Sequence, residues 1–281
     1  MKATKKDFEK FLADANEQMG NITEKRGNTM VPQVVDEKKA WDIFSKLLDE
    51  NVLRLDGQVN DGMAAVACAS LMFLSIRDPD KEIKIMINSP GGSVYAGLAI
   101  YDTMRMIPNP IHTQVFGMAA SMGSLLLAGG DIRSASANAR IMIHQPLGGN
   151  GQSTQATDMR ISADSIEDCW EQLSQIYVNH TGVPHEHWDK LLRRDHWLNV
   201  EQAKELGLVQ HTLPVPEHKK APFEGLSRVA PRTSFNEEAK DLREAAKKSR
   251  IANEKAVQKA NDNGDAKATP AAKKSSGPAA K

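Results

Sequence analysis

The sequence predicts an α/β domain of stacked strand–helix units between about residues 31 and 216. Short apolar runs alternate there with segments of helical periodicity, which is the pattern of a packed α/β domain. Two strand-to-helix junctions, at residues 89–92 and 117–120, are rich in small residues. A chain of 281 residues is also long enough to bury a sizeable core. These features favour repeated strand–helix turns over a doubly wound nucleotide fold.

Strands are predicted where β-branched and other apolar residues form short runs bounded by turn formers. They fall at residues 52–55, 83–87, 111–116, 141–143 and 208–213. Helices are predicted where apolar residues recur at helical spacing. They fall at residues 41–49, 63–76, 94–106, 122–128, 158–180, 187–192 and 200–206.

The segments on either side of this domain differ from it in amino-acid composition. Residues 1–30 are polar and are interpreted as an N-terminal extension or propeptide. Residues 217–281 form a charged, Lys/Ala-rich C-terminal extension, which is expected to be mobile or partly helical. Within it, residues 236–261 could form a solvated helix with a thin apolar stripe of Leu242, Ala246, Ile251 and Val257.

Composition excludes several classes of protein. Basic and acidic residues both number 36, so the net charge is zero and no nucleic-acid partner is indicated. No apolar stretch approaches the ~20 residues of a membrane-spanning helix, and the acidic N-terminal residues argue against a secretory signal. We therefore expect a cytoplasmic protein. The two cysteines, Cys68 and Cys169, fit core positions and cannot build a disulfide framework or a metal site.

The first candidate for chemistry is the turn "NSPGG" at residues 88–92. Its glycines let the backbone approach a ligand closely, and amide N–H groups at the start of a helix are free to face an anion. A plain tight turn with Ser93 as helix cap explains the same residues.

The second candidate is "FGMAASMGSLL" at residues 116–126. Ser121 follows a strand and precedes a helix, so an elbow there would expose its hydroxyl beside the N–H of Met122. The alternative is again an ordinary cap, because serine is common at helix N-termini.

A serine nucleophile needs a base, and the base needs a carboxylate to orient it. His144 ends the strand in "RIMIHQP", and Asp195 ends a helix in "LLRRDHWL". Separately, a core histidine and a turn-forming aspartate would account for them. Together the residues specify a mechanism, with Ser121 as nucleophile, His144 as general base, Asp195 as orienting carboxylate, and the Gly92 and Met122 amides as an oxyanion hole.

From about residue 30 to residue 213 the chain strongly resembles the proteolytic subunits of the Clp protease family, which are serine peptidases of the crotonase-like superfamily. The motifs that carry the resemblance are "MINSPGGSVYAGLAIYDTM", "GMAASMGSLLL", "MIHQPLGG" and "LGLV". The resemblance gives Ser121, His144 and Asp195 the same catalytic roles, and it gives the Gly92 and Met122 amides the role of binding the oxyanion.

The resemblance also implies an assembly. Members of the family form two stacked heptameric rings around a chamber, joined by a protruding handle helix that matches residues 158–180. Unfolded protein substrates are delivered by a partner AAA+ unfoldase of the ClpX or ClpA type, which uses the ATP. No cofactor is expected on this chain, and the sequence has no phosphate-binding GxxxxGK[ST] motif. Cleavage of the chain itself near residues 28–30 is a further expectation.

Departures from the family concern the partner. The unfoldase is expected to dock in an aromatic surface cleft, yet the matching positions here are Lys84, Met86 and Met106, with Met72 and Leu213 nearby. A small insertion falls at residues 149–155, and the C-terminal extension is unusually long. An alternative function is therefore a phage or prophage protease that acts in capsid maturation. An acyl-CoA enzyme of the crotonase fold and a catalytically silent ring subunit are disfavoured by the complete Ser/His/Asp set.

Overall fold

The computed structural model describes residues 33–36, 39–148, 155–216, 219 and 236–262. The predicted insertion therefore falls mostly outside the described residues, as do the N-terminal extension, the cleavage site predicted near residues 28–30, and most of the C-terminal extension. The strands found are β1 Gln33–Asp36, β2 Lys39–Asp42, β3 Val52–Asp56, β4 Ile83–Ser89, β5 Ile111–Ala120, β6 Ile132–Ala135, β7 Arg140–Ile143, β8 His196–Leu198 and β9 His211–Thr212. The helices are α1 Ile43–Asp49, α2 Asp61–Arg77, α3 Val94–Met106, α4 Met122–Ala128, α5 Ala156–Thr181, α6 His185–Leu191, α7 Val200–Glu205 and α8 Asn236–Asp262.

The main sheet is mostly parallel and runs in the order β3-β4-β5-β6-β9. The long strand β5 pairs with β6 along its first half and with β7 along its second half. Strand β8 then pairs with β7 in the antiparallel direction. This fork brings the carboxyl ends of β4, β5 and β7 to one edge, and the turns that follow those strands meet there.

Strand β4 shows why the predicted strands form. Ile83, Ile85 and Ile87 are fully buried, whereas Lys84 and Asn88 between and beyond them face solvent. This period-two alternation places one face on the core. Helices α2 and α3 pack against each other through their own apolar residues, so the α/β prediction is confirmed, and the predicted strands at residues 52–55, 83–87, 111–116 and 141–143 are all found.

The predicted strand at residues 208–213 is wrong in its extent, since only His211–Thr212 pairs with β6. Gly207 adopts a left-handed conformation at the end of α7, and the N–H groups of Leu208 and Val209 donate back to the Ala203 carbonyl. Leu208 and Val209 are buried under the helix end and do not pair with β6.

Two short strands of the main sheet, β6 and β8, were not predicted from the sequence. Strand β6 contains the buried Arg133, whose guanidinium donates to the carbonyls of Gly130, His180 and Gly207. These three hydrogen bonds offset much of the cost of burying the guanidinium, but a sequence pattern does not reveal those carbonyls. Strand β8 has only three residues, too few for a periodicity to show.

Helix α8 forms where the sequence allowed one, but it is not a solvated helix. It packs on α6 and α7, with Ala246 fully buried and Leu242 against the core. The Arg243 guanidinium donates to His196 Nε2 at 3.2 Å. Ile251 and Val257, the other members of the predicted stripe, are exposed. One end of the stripe therefore packs on the domain and the other does not.

We expect Ala246→Arg to lower the melting temperature, because a long charged side chain cannot fit the closed contact between α8 and the domain. A loss of roughly 2–3 kcal/mol is the expected size for overpacking that also buries a charge. The matched control is Ala252→Arg on the exposed face of the same helix. Equal thermal melting curves for the two variants would show that α8 does not pack on the domain.

Among the described residues, no helix combines the length and the apolar character that crossing a bilayer requires. Helix α5 covers the predicted helix at residues 158–180. Its C-terminal half is partly buried, whereas Met159 and Ile161 near its start are exposed.

Candidate active site

Ser121 lies at a sharp elbow between β5 and α4. Its φ of 53° and ψ of −125° place a non-glycine residue in a region that costs of order 1–3 kcal/mol. The elbow is held by its backbone, because the Ser121 N–H donates to the Met142 carbonyl at 2.8 Å and the Ser124 N–H donates to the Ser121 carbonyl at 2.8 Å. The Ser121 hydroxyl makes no capping hydrogen bond to α4. Ser121 therefore occupies the N-cap position of α4, as the alternative interpretation expected, but its hydroxyl does not cap the helix.

The small residues around the elbow let two backbone segments approach each other. A Cβ on Gly91 would lie 2.6 Å from the Ser121 Cβ and 2.7 Å from the Ala120 carbonyl oxygen. A Cβ on Gly92 would lie 2.1 Å from the Val59 carbonyl oxygen. All three distances are far below van der Waals contact, so only glycine fits at either position. Gly91 lets the turn after β4 pack directly against the turn after β5, and Gly92 lets it pack against Val59.

Two amides at this meeting point are available for a ligand. Met122 is the first residue of α4, so its N–H has no partner inside the helix. In the described part of the chain, neither this N–H nor that of Gly92 donates a hydrogen bond to the backbone or to a side chain. Free N–H groups beside a hydroxyl are the arrangement that stabilises an oxyanion.

His144 follows β7 and directs its imidazole at Ser121. The distance from His144 Nε2 to the Ser121 Oγ is 2.8 Å. The distance from His144 Nδ1 to the Asp195 Oδ1 is 3.3 Å. A carboxylate on the Nδ1 side favours the tautomer with its proton on Nδ1, which leaves the Nε2 lone pair facing the Ser121 hydroxyl.

The pairing of β7 with β8 explains why Asp195 reaches His144. Ile143 lies opposite His196 in this antiparallel pair, so the next residues outward, His144 and Asp195, lie opposite each other as well. The Asp195 side chain is 67% exposed, whereas that of His144 is only 10% exposed. The structure thus brings together all three side chains and both amides that the sequence singled out.

A pocket of about 230 Å³ opens beside the Ser121 hydroxyl. Its wall is largely apolar and comes from α4, α5 and the turns after β4 and β7. The lining residues are Pro90, Gly92, Val94, Ser121, Met122, Leu125, Met142, His144, Pro146, Leu147, Trp170, Leu173, Tyr177 and Leu192. An apolar pocket next to a nucleophile with free amides is suited to holding a side chain while a neighbouring carbonyl is attacked.

Comparison with known protein families agrees with this geometry. The family model described as Clp protease matches residues 35–215, which is well over half of the chain. The chain belongs to the Clp protease family. The resemblance found in the sequence motifs is confirmed, and members of this family are peptidases. The α/β fold with a mainly parallel sheet agrees with what the Clp protease family leads one to expect.

The sequence analysis did not identify the residues of α5 that line this pocket. Trp170, Leu173 and Tyr177 have the i, i+3, i+7 spacing of one helix face. By itself, that spacing predicts only one apolar face of a helix. It could have pointed to a wall of the site, had the direction of α5 across the end of the sheet been known.

Proposed function

We propose that the chain is a serine endopeptidase that cleaves unfolded proteins through an acyl-enzyme intermediate. The observation that carries this proposal is the continuous contact from the Asp195 carboxylate through His144 to the Ser121 hydroxyl, beside two free amides. Ser121 is the nucleophile, His144 the general base, and Asp195 the residue that orients the imidazole. The Gly92 and Met122 amides form the oxyanion hole.

In the acylation step, His144 Nε2 takes the proton of the Ser121 hydroxyl as the Oγ attacks the scissile carbonyl carbon. The carbonyl oxygen becomes an oxyanion and accepts hydrogen bonds from the Gly92 and Met122 N–H groups. The imidazolium then gives its proton to the leaving amine, the C–N bond breaks, and an ester to Ser121 remains.

In the second step, His144 takes a proton from a water molecule that attacks the ester. A second oxyanion forms in the same place and collapses, the C–O bond to Ser121 breaks, and the proton returns to the Ser121 oxygen. The product is a new carboxylate, and the chain returns to its starting state. Every proton passes through His144, so no metal or organic cofactor is required by these steps.

The proposal also includes assembly of the chain into rings and delivery of substrates by an ATP-driven AAA+ unfoldase. Exposed apolar side chains support it, because large exposed apolar residues are typical of contact surfaces. Met72 and Ile76 on α2 and Met106 on α3 are all more than half exposed. Met159 and Ile161 on α5 suit the role of a handle between rings. Lys84 remains the charged position in the expected docking region.

The direct test is hydrolysis of short fluorogenic peptides by the purified chain. We expect cleavage of the short peptides without ATP, and we expect a folded protein to be degraded only when an unfoldase and ATP are added. A particle of about fourteen subunits in gel filtration fits the ring proposal. Failure to cleave any peptide would contradict the peptidase proposal, whereas association with a capsid protein in place of an unfoldase would favour the phage-protease alternative.

A further inference from the structure

A buried tyrosine is linked to Ser121 by two hydrogen bonds that pass through one other residue. Tyr177 is on α5, and its hydroxyl lies 2.7 Å from the Ser124 Oγ. The Ser124 Oγ in turn lies 2.7 Å from the carbonyl oxygen of Ser121. Both Tyr177 and Ser124 are buried, and none of the steps described above uses either side chain.

The direction of these hydrogen bonds follows from the chemistry of the three groups. A carbonyl oxygen only accepts, so the single Ser124 hydroxyl proton points to the Ser121 carbonyl. The Ser124 oxygen must then accept from the Tyr177 hydroxyl. Burial raises the pKa of Tyr177, so the phenol keeps its proton and remains a donor. The chain therefore runs from Tyr177 through Ser124 to the Ser121 carbonyl.

The Ser121 carbonyl belongs to the same peptide unit as the Met122 N–H. A peptide unit is planar and trans, so its C=O and N–H point in opposite directions. Fixing the Ser121 carbonyl therefore fixes the direction of the Met122 N–H. Ser124 holds this carbonyl twice, through its backbone N–H at 2.8 Å and through its hydroxyl.

Tyr177 is itself held firmly. Its ring stacks on that of Trp188, with the ring centroids 4.7 Å apart and an angle of 22° between the planes. The Trp188 Nε1–H donates to the Thr181 Oγ1 at 3.2 Å, and the Thr181 hydroxyl donates to the Tyr177 carbonyl at 2.6 Å. A phenol fixed in this way can orient the Ser124 hydroxyl, because its own position does not fluctuate with solvent.

We propose that Tyr177 and Ser124 are positioning residues that aim the Met122 N–H at the oxyanion by holding the Ser121 peptide unit. The inference rests on the proposed peptidase function. It adds a requirement to that function: the strained elbow at Ser121 is kept in its active conformation by the C-terminal half of α5.

The test is Tyr177→Phe, which removes the hydroxyl and keeps the ring that lines the pocket. We expect kcat on a short peptide to fall roughly three- to tenfold, the size set by one net hydrogen bond. KM should stay within about twofold, because the pocket wall is unchanged. Rates are to be normalised to active sites titrated with a fluorophosphonate, so that a misfolded fraction does not count.

A second measurement reports on the oxyanion hole itself. A peptide boronic acid forms a tetrahedral adduct with a serine Oγ and places an oxygen where the oxyanion would lie. Its inhibition constant should rise by about the same factor as kcat falls. Ser124→Ala should behave similarly, and the double variant should be no worse than Ser124→Ala alone, because the two residues act in one chain.

The matched control is Tyr101→Phe. The Tyr101 hydroxyl also bonds a side chain of α5, the half-buried His180, at 2.8 Å from its Nε2, but it makes no hydrogen bond to Ser121 or Ser124. We expect kcat and the boronate constant of this variant to equal those of the wild type. An active wild type with an unchanged Tyr177→Phe variant, or with a change in KM alone, overturns the inference and leaves the peptidase proposal standing. An inactive wild type overturns both.

Discussion

Ser121→Ala is expected to abolish peptide hydrolysis, with kcat lower by on the order of 10⁶-fold. The substitution removes the only atom that forms the covalent intermediate, so the remaining amides and the pocket can bind a peptide without cleaving it. The measurement is release of a fluorophore from a short peptide. The melting temperature should be nearly unchanged, because the backbone bonds that hold the elbow do not involve the hydroxyl.

Ser249→Ala is the matched control for this variant. The Ser249 hydroxyl also bonds a histidine, His187 Nε2 at 3.1 Å, but Ser249 lies in the middle of α8 and has no strained elbow beside it. We expect its peptidase activity to equal that of the wild type. If Ser121→Ala kept more than a few per cent of the activity, the nucleophile would have to be another residue.

His144→Ala is expected to reduce kcat almost as much as the loss of Ser121. Without the imidazole, the Ser121 hydroxyl has no base at 2.8 Å, and the members of such a triad act as a unit. The variant with both substitutions should therefore be no less active than either single variant. Labelling of Ser121 by a fluorophosphonate should also be lost, and it is measured by in-gel fluorescence.

The control for this second variant is His187→Ala, which removes a histidine with both a serine and the Glu186 carboxylate nearby. Labelling and kcat should not change, since Glu186 is on α6 and Ser249 on α8, and neither bonds Ser121 or His144. Labelling of the His144→Ala variant at the wild-type rate would assign the base to another residue.

Much of the fold was predictable because its strands alternate regularly. The buried isoleucines of β4 and the small residues at the end of β5 gave clear local signals, and strand ends meet at one edge of a parallel sheet. The positions of Ser121 and His144 follow from that rule. The closeness of Asp195 to His144 does not, because it depends on the antiparallel pairing of the three-residue strand β8 with β7.

Other features escaped the sequence because they depend on tertiary contacts. The burial of Ala246 is not visible in a helix whose surroundings are Lys, Arg and Glu. The hydrogen-bond chain from Tyr177 to Ser121 joins residues 56 positions apart, and no local pattern links them. Alanine and tyrosine are both common in helices, so neither residue stands out in the sequence. Only the residues that each one contacts in the folded structure show what it does.

The most direct test of the account is to find where a fluorophosphonate reacts with the wild-type protein. The reagent needs an activated serine beside an oxyanion hole, which is what the contact of Ser121 with His144 and the free Met122 amide would supply. Peptide mass spectrometry of the labelled chain should find one adduct, on Ser121. No adduct, or an adduct on a different serine, would contradict the assignment of this elbow as the catalytic centre.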